Sequence, residues 1–249
     1  MKVKDKIYFV SDMHLGSSVF GDSREREKRL VHWLDSIKED AKALYLLGDI
    51  FDFWFEYKHA VPRGFTRFLG KLAELSDSGV EIHYFTGNHD IWVYDYLPEE
   101  IGLILHKKPF VTEIDGKNFY LAHGDGLGDY SHSFKLIRRI FHNRVCQVLY
   151  RLIHPDFGIK LGNSWANHSR RKELSNPLSY LGEDKEHLVL YAKSCIQTHP
   201  EIDYFIFGHR HIVLDLMLTS KTRMMIIGDW LQHFSYAVFD GRALRMEKF

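Results

Sequence analysis

Ile7-Tyr8-Phe9-Val10-Ser11-Asp12-Met13-His14-Leu15-Gly16 is an apolar run that ends in an acid and a histidine one residue apart. The run predicts a short buried strand. Alternate residues of an extended segment point the same way, so Asp12 and His14 are expected to lean into one pocket at the carboxyl edge of that strand. Such a pair is a metal-ligand arrangement, and the rest of the chain is read outward from it.

The pattern recurs four times. Ala43 to Leu47 ends at Gly48-Asp49, Val80 to Phe85 at Gly87-Asn88-His89-Asp90, Asn118 to Ala122 at His123-Gly124-Asp125, and Ile202 to Phe207 at Gly208-His209-Arg210-His211. Between the early strands lie helical periodicities over Glu25 to Glu39 and Phe65 to Ser76, the second closed by Gly79. Strand alternating with helix predicts an α/β fold in which ligands gather beyond the carboxyl ends of parallel strands. Leu97 to Leu105 reads as either a short helix or an extended piece, and Asp115-Gly116-Lys117 marks a hairpin between Phe110 to Ile114 and Asn118 to Ala122. Phe134 to Ile153 is expected to form one amphipathic helix stopped by His154-Pro155, followed by a helical stretch that includes Trp165 to Glu173 and by a helix at Lys185 to Gln197. The tail, Val213 to Leu218, Met224 to Ile227, Phe234 to Phe239 and Ala243 to Phe249, is expected to be antiparallel strands joined at Ser220, Gly228-Asp229 and Asp240-Gly241.

A length of 249 residues with 45% hydrophobic content suits one large globular domain, 1–249. No apolar stretch approaches the roughly 18 to 20 residues of a membrane span, so membrane contact is expected to be peripheral. The amino-terminal apolar run leads straight into Asp12 and His14 and reads as a first strand, not a signal peptide. Cys146 and Cys195, far apart, suggest buried small hydrophobes in a reducing compartment rather than a disulfide. The 33 basic and 33 acidic residues cancel, but between Tyr130 and Ser175 nine Lys or Arg face only Asp156 and Glu173. That segment is electrostatically distinct.

Asp12, His14, Asp49, Asn88, His123, His209 and His211 all follow strand runs. Taken singly, Asp12, Asp49 and Asp90 are ordinary caps, Asn88 an ordinary left-handed turn residue, His123 as readily structural as functional, and His209 and His211 polar positions of an edge strand. Taken together they form a donor set of carboxylate, imidazole and amide oxygen without thiolate, which suits Mn, Fe or Zn. Seven donors exceed the need of one ion. They suffice for two sharing a carboxylate, about 3.5 to 4 Å apart, where they can activate water and neutralise phosphoryl oxygens.

The blocks Asp12-x-His14, Gly48-Asp49-x-x-Asp52, Gly87-Asn88-His89-Asp90, His123-Gly124-Asp125 and Gly208-His209-x-His211 resemble, in order, those of the calcineurin-like metallophosphoesterase family. The resemblance implies a four-layer α-β-β-α sandwich and a dinuclear site filled by two divalent ions, usually Mn. It implies that Asp12, His14 and His211 hold the first ion, that Asn88, His123 and His209 hold the second, and that Asp49 bridges them. His89 would lie beside the transferred phosphoryl group, stabilising charge or protonating the leaving group.

Within the family, chain length, the aromatic loop after Asp49 and a helical insertion (a lid at about 126–182) are similar to the branch that cleaves the pyrophosphate of UDP-2,3-diacylglucosamine. That branch releases UMP and the lipid 1-phosphate in lipid A biosynthesis, at the cytoplasmic face of the inner membrane. Its well-known members carry arginine where this chain has His89. The resemblance makes Asn88, Asp125, Asn167, Ser169, Arg170, Arg171 and Lys172 the expected substrate contacts. The basic, amphipathic 134–153 segment is either a helix packed on the domain with a solvated basic side or a lid that meets acyl chains and an anionic membrane surface. Phe51, Phe53, Trp54, Phe55 and Tyr57, and Trp92, Tyr94 and Tyr96, are open between cleft wall and core. Another dinuclear phosphoesterase activity, such as a nucleotidase, phosphodiesterase or small pyrophosphatase, is the alternative. Nucleic acid is not the expected partner, because the basic surplus is confined to one segment, and no obligate protein partner is expected.

Overall fold

The computed structural model describes residues 4–128, 132–175 and 179–249, apart from the side chains of 132–134 and 172–174. Among these residues the strands form two sheets. In the first, β1 (Lys6–Val10), β2 (Ala41–Leu47), β3 (Glu81–Phe85) and β4 (Ile104–His106) run parallel, and β10 (Ser235–Phe239) with β11 (Leu244–Lys248) extends the β1 edge antiparallel. In the second, ordered β5-β6-β7-β9-β8, strands β6 (Lys117–Leu121), β7 (Tyr204–Phe207) and β9 (Arg223–Ile227) are parallel, while β5 (Phe110–Ile114) and β8 (Val213–Met217) are antiparallel edges.

The two-residue period of a strand explains the layers. Ile7 and Phe9 of β1 and Tyr45 and Leu47 of β2 pack with Phe119, Leu121, Ile206, Met225 and Ile227 of the second sheet, forming the core between sheets. Their neighbours Tyr8, Val10, Leu44 and Leu46 face the other way, onto Trp33 and Leu34 of α1 (Ser23–Ile37), Phe68 and Leu72 of α2 (Thr66–Asp77) and Leu97 of α3 (Tyr96–Ile101). Tyr120, Phe205, Phe207, Met224 and Ile226 meet Leu188, Val189 and Ala192 of α7 (His187–Thr198) on the outer face of the second sheet. Helix, sheet, sheet and helix therefore stack in the expected order. The continuous apolar runs of the sequence arise because both faces of these strands are covered.

Two expectations need correction. The 134–153 helix is two: α4 (His132–His142) ends before Asn143, whose extended backbone and side chain cap α5 (Arg144–Arg151) by accepting from the Val145 and Cys146 amides at 2.8 and 3.2 Å. The third insertion helix, α6 (Pro155–Ser175), includes the expected Trp165 to Glu173 and starts at the proline that ends the preceding segment. The tail is not one antiparallel meander, since β9 pairs parallel with β7 and the chain then crosses to the first sheet between Ile227 and Ser235. Leu97 to Leu105 resolves into α3 and the start of β4, and Asp115 and Gly116, with φ of 49° and 75°, make the tight turn between β5 and β6.

The β4 edge carries a histidine contact whose contribution to stability is expected to depend on pH. His106 lies with ring centroids 4.5 Å from both Phe85 and Phe110, its Nε2 is 2.9 Å from His83 Nδ1, and burial followed by the His83 charge pushes it down to about 4. A base depressed on folding favours the folded state fully above its unfolded pKa of roughly 6.5, and this stability is lost as pH falls toward 4. Discounted for partial exposure, the contribution is about 1 kcal/mol, or 2–4 °C in Tm. His106→Phe keeps the stacking and is expected to shrink the Tm drop between pH 7.5 and 5 by that amount. Equal drops in both proteins would assign the acid sensitivity elsewhere.

Candidate metal centre

The carboxyl ends of β1, β2, β3, β6 and β7 converge on one point between the sheets. Asp12, His14 and His211 present ligand atoms within 4.8 Å of one another, and so do Asp49, His123 and His209. Asp49 also forms such a group with His14 and His89. The convergence does not come from extended alternation, as the sequence suggested. Asp12, His14, Asp49, His209 and His211 all adopt left-handed backbone, with φ between 44° and 66°. After β1, β2 and β7 the left-handed residues turn these side chains inward, and this costs on the order of 1 kcal/mol or more per residue. The crowding also dictates glycine: a Cβ on Gly87 would lie 2.2 Å from Asp49 Oδ1, and one on Gly208 would lie 2.5 Å from Asp12 Oδ2.

Hydrogen bonds fix which ring nitrogens face the centre. His123 Nδ1 donates to the Leu47 carbonyl at 2.8 Å, so its Nε2, 3.3 Å from Asp49 Oδ2, carries a lone pair when the ring is neutral. His14 Nδ1 faces Asp52 Oδ1 at 3.2 Å and His211 Nδ1 faces Asp229 Oδ2 at 3.6 Å. Their Nε2 atoms stand 3.2 Å apart, at 3.6 and 3.1 Å from Asp12 Oδ1. Backbone amides hold the outer carboxylate oxygens, His209 N on Asp12 Oδ2 and His89 N on Asp49 Oδ1, each at 2.8 Å.

Converging acceptors of this kind call for cations. Asp12 Oδ1, Asn88 Oδ1 and His123 Nε2 are buried without a hydrogen-bond partner among the described residues. Burial would raise the Asp12 and Asp49 carboxyls, but the surrounding imidazoles outweigh it and hold both well below the usual carboxylate range. Burial would likewise lower His123, and the Asp49 charge beside it lifts the ring well above an ordinary imidazole. The residues present fit two divalent ions sharing Asp49, and two divalent-metal sites are present.

The model of the calcineurin-like phosphoesterase family matches residues 5–213. The chain belongs to the calcineurin-like phosphoesterase family. Over 98% of each chain this phosphoesterase is 46% identical to a UDP-2,3-diacylglucosamine hydrolase of Porphyromonas gingivalis, and over 90% of each it is 26% identical to a protein of the same name from Ectopseudomonas mendocina. A dimetal phosphatase from Danio rerio shares its fold, with a TM-score of 0.50 and 14% identity over 99% of this chain and 96% of that one.

Around the centre of this phosphoesterase, the expected substrate contacts divide. Arg170 reaches in from α6 and is only 3% exposed: Nε lies 3.2 Å from Asp52 Oδ1, Nη2 2.7 Å from His89 Nε2 and Nη1 3.4 Å from His211 Nε2. Asn88, Asp125 and Ser169 line a cavity of about 440 Å³ between the centre and the insertion, where Asp125 accepts from Arg138 Nε at 3.3 Å. Asn167 and Arg171 point to the opposite side of α6, into a more polar groove, and Asn167 Oδ1 accepts from Ser18 Oγ at 3.4 Å. The Lys172 side chain lies outside the described residues.

The aromatic segments also divide. Phe51 and Trp54 belong to the core beneath α2, and Tyr96 packs against it. Phe53, Phe55, Tyr57 and Trp92 form the floor under the insertion, with Tyr94, Phe141, Tyr150 and Ala166. Two further acids at the centre carry no role in the sequence reading: Asp52, in the second sequence block, and Asp229, whose place after Gly228 predicts a turn. The signal for Asp229 was present, because Gly228-Asp229 follows an apolar strand just as Gly48-Asp49 does.

Proposed function

We propose that this chain hydrolyses the pyrophosphate bond of UDP-2,3-diacylglucosamine, giving UMP and 2,3-diacylglucosamine 1-phosphate. The observation that carries the reading is the apolar cavity beside the metal centre. Its walls are Phe53, Ile91 and Trp92 from the body and Ile137, Phe141 and Trp165 from the insertion, and at one end it meets Asn88, His89 and Asp125. An apolar space that adjoins a phosphoryl-cleaving centre is what a glycolipid phosphate requires. The name borne by the 46% identical relative points the same way.

In this reading Asp12, His14 and His211 hold one ion, Asn88, His123 and His209 the other, and Asp49 lies between them. The ions, which we take to be Mn, supply Lewis-acid neutralisation of phosphoryl oxygens and make water acidic enough to attack near neutral pH. Asp49 and Asp12, kept ionised, would supply the negative charge that holds the ions. Arg170 lies over the same centre and donates to the phosphoryl oxygens, while Asn88 and Asp125 orient the sugar phosphate.

The helical insertion, about 126–182, acts as the lid over the acyl chains. Its outer side exposes Val145, Val148, Leu149, Leu152 and Phe157 beside Arg144, Arg151 and Lys160. Among the described residues no helix is long and apolar enough to cross a membrane. An apolar face rimmed by cations supports peripheral docking on an anionic bilayer, which here is the cytoplasmic face of the inner membrane, where the substrate's acyl chains reside.

Mn-loaded protein offered UDP-2,3-diacylglucosamine, UDP-N-acetylglucosamine and an aryl phosphodiester is expected to release UMP rapidly from the acylated substrate alone. Aryl release without UMP release would keep the dinuclear phosphoesterase and overturn the substrate.

A further inference from the structure

Beyond the seven ligand residues and the substrate cavity, the buried acid beside His211 has no role in the reading above. Asp229 follows β9, the one inner parallel strand of the second sheet whose carboxyl end supplies no proposed ligand. It is 2% exposed. Its two oxygens do different work. Oδ1 accepts from the backbone amides of Leu231, Gln232 and His233 at 2.9, 2.7 and 3.1 Å, which fixes the segment crossing from one sheet to the other. Oδ2 faces His211 Nδ1 at 3.6 Å and His233 Nδ1 at 3.0 Å. The next residue, Trp230, donates its backbone amide to the Asp12 carbonyl at 3.0 Å. The crossing therefore touches two members of one ligand group, His211 through a carboxylate and Asp12 through the backbone.

A ligating imidazole needs its far nitrogen protonated and its plane fixed, and a carboxylate behind that nitrogen does both. His14 has such a carboxylate in Asp52 and His123 has the Leu47 carbonyl, at 3.2 and 2.8 Å. For His211 the acid behind the ring is Asp229. We propose that Asp229 is a positioning residue for the Asp12, His14 and His211 site, setting the tautomer and ring orientation of His211 so that Nε2 faces the ion. This rests on the two-ion reading above. The other site, made by Asp49, His123, His209 and Asn88, has no proposed link to this crossing, so the effect of losing the Asp229 charge is confined to one of two ions.

Asp229→Asn separates the two functions of the side chain. An amide oxygen still accepts the three backbone amides, while the acceptor facing His211 becomes an NH2 group. Mn²⁺ binding is measured by titration of the metal-free protein and by electron paramagnetic resonance, with thermal unfolding of the metal-free protein alongside. Wild-type protein is expected to bind two ions that show the signature of a coupled pair. Asp229→Asn is expected to bind the first site's ion 10–100-fold more weakly, to show an uncoupled single-ion signal at limiting Mn²⁺ and to recover the pair at saturating Mn²⁺, with unchanged Tm of the metal-free protein. Equal weakening of both sites, or a loss of metal-free Tm that accounts for the change, would make Asp229 a purely structural cap and overturn the proposal. Two tight ions in the variant would overturn the role of Asp229 alone. Wild-type protein that binds no pair would overturn the two-ion reading and this inference together.

Discussion

Asp49→Ala is expected to lose both bound ions and to lower turnover by roughly 10⁴-fold or more, since the stabilisation that two cations give a phosphoryl transition state is several kcal/mol and each 1.4 kcal/mol is tenfold. The carboxylate enters two of the ligand groups, with His14 and His89 on one side and His123 and His209 on the other, and through His14 it adjoins the group of Asp12 and His211. Its Oδ2 stands 3.8 Å from His14 Nε2 and 3.3 Å from His123 Nε2, while Oδ1 takes the His89 amide. Removing it leaves a cluster of buried imidazoles facing one another around a site stripped of half its negative charge. A second measurement separates metal loss from misfolding. Ions that bind only the folded state raise its stability by about 2.7 kcal/mol per site at a hundredfold excess over Kd, so Mn²⁺ is expected to raise the wild-type Tm by several degrees and the Asp49→Ala Tm by none. Near-normal turnover, or a Tm that still rises with Mn²⁺, would remove Asp49 from the bridging role.

The polar residues at five strand ends were legible because buried parallel strands write themselves as short apolar runs, and whatever follows such a run lies at the sheet's carboxyl edge. Backbone handedness was not legible. Nothing in Asp12-Met13-His14 announces left-handed turns, which the surrounding carbonyls and amides impose, so the residues were read as converging for the wrong reason. Asn143 is a preferred helix cap and was available as a break, yet unbroken apolar periodicity on both sides hid it. The tail shows a different limit. Met224 to Ile227 is a good strand by any local measure, but whether it pairs with β8 alone or also with β7 depends on a partner some twenty residues away. Misplacing that pairing turned Asp229 into a hairpin residue. Similarly, Arg170 and Arg171 are neighbours in sequence, but a helix turns about 100° per residue, so Arg170 enters the centre while Arg171 lines the groove beside it.

Arg170→Ala is expected to lower kcat about 10²–10³-fold, the usual cost of removing one preorganised donor from a developing anion, while bound Mn²⁺ stays at the wild-type level. The argument begins at His89. Its Nδ1 is 2.7 Å from the Asp52 carbonyl oxygen, which can only accept, so Nδ1 carries the hydrogen. Burial, and then the Arg170 charge, push the ring down to about 4, so it is neutral at physiological pH and Nε2 is an acceptor. That acceptor receives Arg170 Nη2 at 2.7 Å, and the Asp52 carboxylate receives Nε at 3.2 Å. A ring held in this tautomer has no proton directed at a leaving group. In the proposed reading its contribution would be to aim the guanidinium, so the side-chain positive charge beside the ions would come from the insertion helix rather than from the third sequence block. Arg170→Lys is expected to restore only part of the rate, because an ammonium cannot keep the two directed bonds of a planar fork. His89→Ala is expected to cost less than Arg170→Ala, and the double variant no more than Arg170→Ala alone, since residues acting as one unit are not additive. Costs that multiply in the double variant would show that His89 acts on the substrate independently and would return it to the role of charge stabiliser or acid.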